Sequence, residues 1–139
     1  MKRFVLDASV ALRWFLDNSV SPYADRIKHL LIKGGRAVVP ALWHLEMSNG
    51  LAIAERRSIL STTDIDQALL DMEQIVAQGV DTSSIFVSTR QAFVTARAFK
   101  LSAYDAVYLD LARHERLPLA SLDERLCAAA VQAGVELLR

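Results

Sequence analysis

Short apolar runs that each give way to a helical pattern constrain this chain more than any other feature. RFVLDA leads into VALRWFL, RAVVP into ALWHLEMSNGLAIAERR, and PLASL into DERLCAAAVQAG. Strands that alternate with helices close as a parallel sheet with helices on both faces. Between these units SPYADRIKHLLIKGG reads as a helix, with Pro22 at its start and glycines at its end. TTDIDQALLDMEQIVAQG, closed by Gly79, SIFVSTRQAFVTARAFK and SAYDAVYLDLARHER read as further helices, and VELL as a last strand. The predicted fold class is α/β with a short, mostly parallel central sheet. A length of 139 residues without repeat or linker suggests one domain over 1–139. In such sheets the working crevice lies beyond the carboxyl ends of the strands.

Composition removes several function classes. Hydrophobic residues make up 53 % of the chain, enough for a core, yet no apolar run reaches the roughly 18 residues that span a bilayer. No membrane association is expected. The opening MKRFVLDASVALRWFL imitates an export signal, but Asp7 and Arg13 interrupt its apolar body. It reads as a strand and helix of a cytoplasmic protein. Cys127 is the single cysteine, so no internal disulfide forms, and its apolar setting suits a small core residue. His29, His44 and His114 lack zinc-ligand spacing and read as helix-surface residues. The net charge is zero but unevenly laid out: Ser58 to Thr89 holds five acids and no base, leaving sixteen bases against eleven acids elsewhere. A basic body of this kind would suit a polyanion, although two ordinary solvated faces explain the charge as well.

Four acids stand in unusual places. Asp7 follows the apolar FVL directly, at the carboxyl end of the first strand, and Asp123 follows PLASL at the same kind of edge. An aspartate at that second position is also a good helix N-cap. Turning SAYDAVYLDLARHER at about 100° per residue puts Leu109 and Ala112 on the side of Asp105, with Tyr108 and Leu111 flanking. Asp110, Arg113 and His114 fall on the opposite arc, which makes Asp110 an ordinary solvated charge. The same construction places Glu46 with Leu42, Asn49, Gly50 and Ile53 on an inward stripe, with Gly50 opening space beside it. For either inward acid alone, a salt bridge to a distant arginine is the simpler account.

Together the four argue otherwise, because none has a basic residue at helical spacing on its own face. Two carboxylates about 5 Å apart repel by roughly 3 kcal/mol at an effective dielectric near 20. Such a cluster requires a cation or raised pKa values. Oxygen-only ligands without Cys or His suit a hard ion, Mg²⁺ or Mn²⁺. The neighbouring hydroxyls of Ser9 and Ser121 could hold waters or phosphate oxygens beside it.

On these stretches the chain resembles the PIN-domain family, and within it the VapC-type toxins of bacterial toxin–antitoxin pairs. FVLDASVAL, VPALWHLEMSNGL, LSAYDAVYLDLA and PLASLDERL occur in the family's order and spacing. The resemblance implies a three-layer α/β/α fold and a metal-dependent endoribonuclease that hydrolyses RNA phosphodiester bonds. It implies that Asp7, Glu46, Asp105 and Asp123 are catalytic, with Asp7 and Asp105 the principal metal ligands and Asp123 an additional one. Glu46 would orient the metal or its water, and Asn49 and Ser9 would support the site. It further implies a VapB-like antitoxin that covers the acids, and a homodimer. Leu69, Met72 and Val76 form a stripe suited either to the core or to such a two-fold contact.

Other classes fit less well. A phosphatase of the haloacid dehalogenase type, with Asp7 as nucleophile, normally wants a second acid two residues on, where Ser9 stands. A receiver-like phosphoacceptor would need an acidic pair at the first strand and a lysine near the last, and SLDERL and VELLR have none. A non-catalytic RNA-binding or scaffold domain remains the main alternative, against which the intact set of acids speaks.

Overall fold

The computed structural model describes residues 2–16 and 21–139. Met1, the start of the leader-like stretch, lies outside them. Four strands, β1 (Arg3–Leu6), β2 (Arg36–Val39), β3 (Val80–Thr82) and β4 (Leu119–Ala120), form one sheet in the order β3-β2-β1-β4, and every pairing is parallel. Among the described residues the helices are α1 (Ala8–Leu16), α2 (Pro22–Ile32), α3 (Leu42–Arg56), α4 (Thr62–Gly79), α5 (Thr89–Phe99), α6 (Ala103–Glu115) and α7 (Glu124–Gln132). Helices α1 to α4 pack on one another, while α6 lies on β1 with α5 and α7 at its sides. The predicted α/β/α layering is present.

The inner strands are apolar because both faces are covered. Phe4, Val5, Leu6, Ala37, Val39, Leu119 and Ala120 are all fully buried. From β1 the chain crosses to β2 on one side and later returns as β4 on the other. The strand order therefore reverses between β1 and β4, and a ligand crevice is expected beyond their carboxyl ends. Asp7 leaves β1 at that point, and Ser121 and Asp123 leave β4 there.

Three expectations shift. Strand β3 was not anticipated: it is three residues long, with Asp81 and Thr82 exposed, so it carries no apolar period. It is pinned at the sheet edge by Arg36, whose guanidinium donates to both Asp81 oxygens (3.1 and 2.6 Å) and to the Gln78 carbonyl (2.8 Å). One of the five acids in the base-free segment is thus paired rather than free. The expected strand VELL shrinks to a single parallel bridge between Leu119 and Leu137. Helix α5 starts at Thr89 rather than near Ser84, because Ser88 caps it by accepting from the Gln91 N–H (3.1 Å).

Helix α3 is turned by a step from its expected face. Its buried residues are Trp43, Met47, Leu51 and Ala54, with Glu46 on the flank and Asn49 exposed. Gly50 opens no space: a Cβ there would stand 2.6 Å from Leu12 Cδ2, so α1 fills the gap and the glycine permits close helix packing. In α4, Met72 and Val76 pack against the core, whereas Leu69 (40 % exposed) and Leu70 (58 %) do not. The core therefore takes part of the stripe that suited a two-fold contact.

Candidate functional site

Asp7, only 4 % exposed, is the one buried acid among the described residues. Its Oδ2 accepts from the hydroxyls of Ser9 and Ser121, each at 2.7 Å. Both serines hold a second bond: Ser9 Oγ accepts from the Leu122 N–H, and Ser121 Oγ from the Asp123 N–H, each at 3.0 Å. The loops after β1 and β4 are thereby stitched together around one carboxylate. Burial pushes the Asp7 pKa up, the two hydroxyls pull it back, and the charge of Asp123 raises it again.

Asp123 is indeed the N-cap of α7, its Oδ1 accepting from the Leu126 N–H at 2.9 Å. Capping does not exhaust its role, because its charge is felt at both Asp7 and Asp105. Asp105 lies in the first turn of α6, whose N-cap Ser102 accepts from the Asp105 N–H (3.1 Å). The helix thus starts where the chain can turn this acid toward the sheet edge. Burial first, then the charges of Asp123 and Asp7, push Asp105 up to about 6, partly offset by the Ser102 hydroxyl. Glu46, half-buried on α3, is raised by burial and by Asp7 and Asp105, and lowered by a hydrogen bond from Tyr108.

Asp123 therefore bears electrostatically on Asp7 and Asp105, and Asp7 and Asp105 on Glu46, so the four predicted acids share one edge. None of the shifts on Asp7, Glu46 and Asp105 traces to a lysine or arginine. Ser9 and Ser121 stand beside Asp7 as expected, while Asn49 is exposed and among the described residues no hydrogen bond joins it to the acids. Tyr108 was placed only as a flank of the Asp105 face. Its hydroxyl donates to Glu46 Oε1 at 2.6 Å, and the signal for it was a large aromatic three residues beyond Asp105 whose polar end needs a partner when buried.

Asp110 is a correction. It is no solvated charge: buried Thr95 of α5 donates to its Oδ1 at 2.8 Å, and its Oδ2 is buried without a partner. It lines a cavity of about 650 Å³ together with Pro40, Phe86, Val107 and Arg113, and none of the four acids borders that cavity. A single-helix projection could not show that α5 covers this arc.

The donor chemistry of the edge fits a hard divalent cation: all-oxygen, crowded with like charge and partly shielded from water. As the side chains stand, no group of three or more His, Cys, Asp or Glu among the described residues is arranged to hold an ion. The acids would have to draw together around one.

Residues 4–132 match the model of the PIN domain family. No curated protein matches the chain. Among solved structures, PAE2754 from Pyrobaculum aerophilum superposes with a TM-score of 0.68 at 21 % identity, over 92 % of this chain and 79 % of that one. FitAcB from Neisseria gonorrhoeae gives 0.67 at 17 % identity, over 98 % and 96 %. A domain of a functionally unknown protein from Methanocaldococcus jannaschii DSM 2661 gives 0.60 at 15 %, over 100 % and 92 %. At these identities the structures share the fold alone.

Proposed function

The chain belongs to the PIN-domain family, and from that premise we propose that it is a Mg²⁺- or Mn²⁺-dependent endoribonuclease of the VapC type, acting in the cytoplasm. The observation that carries this reading is like charge gathered at the switch point of the sheet: Asp123 bears on Asp7 and Asp105, these two bear on Glu46, and among the described residues no lysine or arginine offsets it at Asp7, Glu46 or Asp105. Asp7, Asp105 and Asp123 would hold the cation. When bound, it supplies the positive charge that neutralises a phosphodiester under attack.

The protein's own residues supply the rest. Ser9 and Ser121 fix the Asp7 carboxylate so that its rotation costs nothing during the reaction. Glu46, on the neighbouring helix, is a proton acceptor beside the edge, held in place by Tyr108. Asn49, exposed on α3, is free to meet the RNA. A partner antitoxin of the VapB kind would cover this edge, presenting a basic group to the acids, and the exposed Leu69 and Leu70 leave room for a homodimer.

The test is purified protein on single-stranded and structured RNA, with Mg²⁺ or Mn²⁺ and then with EDTA. Cleavage that vanishes on chelation and returns with added metal is expected; cleavage that survives chelation would overturn the mechanism. For the toxin role, production of the protein alone should arrest growth, and co-production of a neighbouring small gene product should restore it. Unimpaired growth at high soluble levels would remove that role while leaving the nuclease.

A further inference from the structure

Tyr108 is one of the largest side chains in the core and is fully buried, yet it carries a polar end. A buried phenol needs a partner, and many would serve: a carbonyl, an amide or a hydroxyl. Here the partner is the Oε1 of Glu46, at 2.6 Å, across the space between α6 and α3. A carboxylate is a poor choice if the sole need is to satisfy the tyrosine. Its charge stands near Asp7 and Asp105, and that repulsion raises its energy at the edge. The bond makes better sense in the other direction, as a brace for the acid.

The geometry of the brace is specific. Tyr108 lies one helical turn beyond Asp105 on α6, so one helix delivers one acid itself and holds a second acid that comes from α3. One hydrogen bond thus ties α6 to the flank of α3, the two helices from which Asp105 and Glu46 arise. Because the phenol donates, Glu46 Oε1 is held as an acceptor.

We propose that Tyr108 is the positioning residue of the acidic edge: its hydroxyl fixes Glu46 beside Asp7 and Asp105 and thereby sets the affinity of the edge for a divalent cation. The proposal rests on the reading of the four acids as a metal site.

The experiment is titration of the metal-free protein with Mn²⁺ alone, followed by calorimetry or by the loss of the free-ion electron paramagnetic resonance signal, with no RNA present. Tyr108→Phe removes the hydroxyl and keeps the ring. It should weaken Mn²⁺ binding roughly tenfold to a hundredfold, the range in which outer partners of metal ligands act. Glu46→Ala should weaken it by a similar factor, and Tyr108→Phe should add almost nothing in the Glu46→Ala background, because the hydroxyl acts through that carboxylate. A purely structural tyrosine would lower the melting temperature and the folded fraction without changing the Mn²⁺ affinity of the folded protein. Wild-type affinity in Tyr108→Phe, or an undiminished loss in the Glu46→Ala background, would overturn the proposal and leave the metal site standing. Wild-type protein that binds no Mn²⁺ would overturn both. Should Tyr108→Phe fold poorly, Glu46→Gln decides: its amide still accepts from the phenol, so the fold is kept while Mn²⁺ binding falls, and unchanged binding there would overturn the brace.

Discussion

Asp105 and Asp110 share one helix and sit in opposite kinds of burial. Asp105 faces the sheet edge, where its nearest electrostatic neighbours are other carboxylates and where its pKa is pushed up to about 6. Asp110 faces α5, takes one hydroxyl bond from Thr95 and stands apart from the four acids. A carboxylate buried beside a neutral donor is a structural device, whereas one buried beside like charge is a standing repulsion that only a proton or a cation removes. The contrast sets a part of the fold against a part of the proposed chemistry, and it can be broken experimentally at either end.

The largest effect is expected at Asp105. Asp105→Asn keeps the size of the side chain and removes one negative charge from the crowded edge. Cleavage should fall by more than about a hundredfold, roughly 2.7 kcal/mol in barrier, since the cation is no longer held. The metal-free protein should melt no lower than wild type and could melt higher, because a repulsion has been relieved. Asp7→Asn should follow the same pattern. A structural ion-pair partner would behave in reverse, losing about 3–5 kcal/mol of stability. Cleavage assays beside melting curves in EDTA distinguish the two, and full activity in Asp105→Asn would sink the assignment.

That separation was half legible in the sequence. Asp7 and Asp123 could be read because a strand that runs apolar and stops at an acid leaves that acid at the carboxyl edge, whatever the rest of the chain does. Asp105 could be read because its neighbours Leu109 and Ala112 are core residues, and both are buried. Asp110 could not, since turning one helix shows its own faces and not the second helix that covers them. Glu46 lies between: the acid is near the edge, but the buried face of α3 runs through Trp43, Met47 and Leu51, one step from the expected stripe. Strand β3 was invisible because an edge strand of three residues, two of them exposed, has no pattern to show.

Thr95→Val probes the other side of the comparison. The variant keeps the shape of the side chain and removes the donor, so Asp110 is left with no hydroxyl on either oxygen. A loss of about 1–3 kcal/mol is expected, the range for a buried polar group left without its partner. RNA cleavage by the folded fraction should be unchanged. Urea unfolding measures the first and initial rates the second. A variant as stable as wild type would mean that water already serves Asp110.

A smaller effect follows from pH. The folded-state pKa values of Asp105 and Asp7 are raised above their usual 3.8. Stability contributed by protonated Asp105 is therefore present in full below about pH 4 and is lost as the pH rises through about 6, and that of Asp7 is lost in the same direction. Metal-free wild type should lose melting temperature relative to Asp105→Asn over that window, and the gap should close toward pH 4. With Mg²⁺ present the sign should reverse for wild type, because the cation binds the ionised acids and its contribution grows with pH. Parallel melting curves from pH 4 to 8, with and without metal, read both signs. A constant gap across the window would show that Asp105 is not under strain from its neighbours.

The smallest change is expected from Asp110→Asn, and its smallness is informative. The substitution removes the charge while its amide oxygen still accepts from Thr95. The other position exchanges an oxygen that had no donor for a nitrogen, so little is gained or lost there. Stability should move by about 1 kcal/mol at most, and cleavage should stay within about threefold, roughly 0.7 kcal/mol in barrier. The same change of residue, five positions earlier on the same helix, is expected to abolish activity. The pair thus holds helix, residue type and lost charge constant and varies only the company each acid keeps. If Asp110→Asn lost activity as Asp105→Asn does while remaining folded, the cavity that Asp110 shares with Phe86 and Arg113 would have to be counted as part of the working surface. The crevice would then extend from the switch point across the ends of β2 and β3.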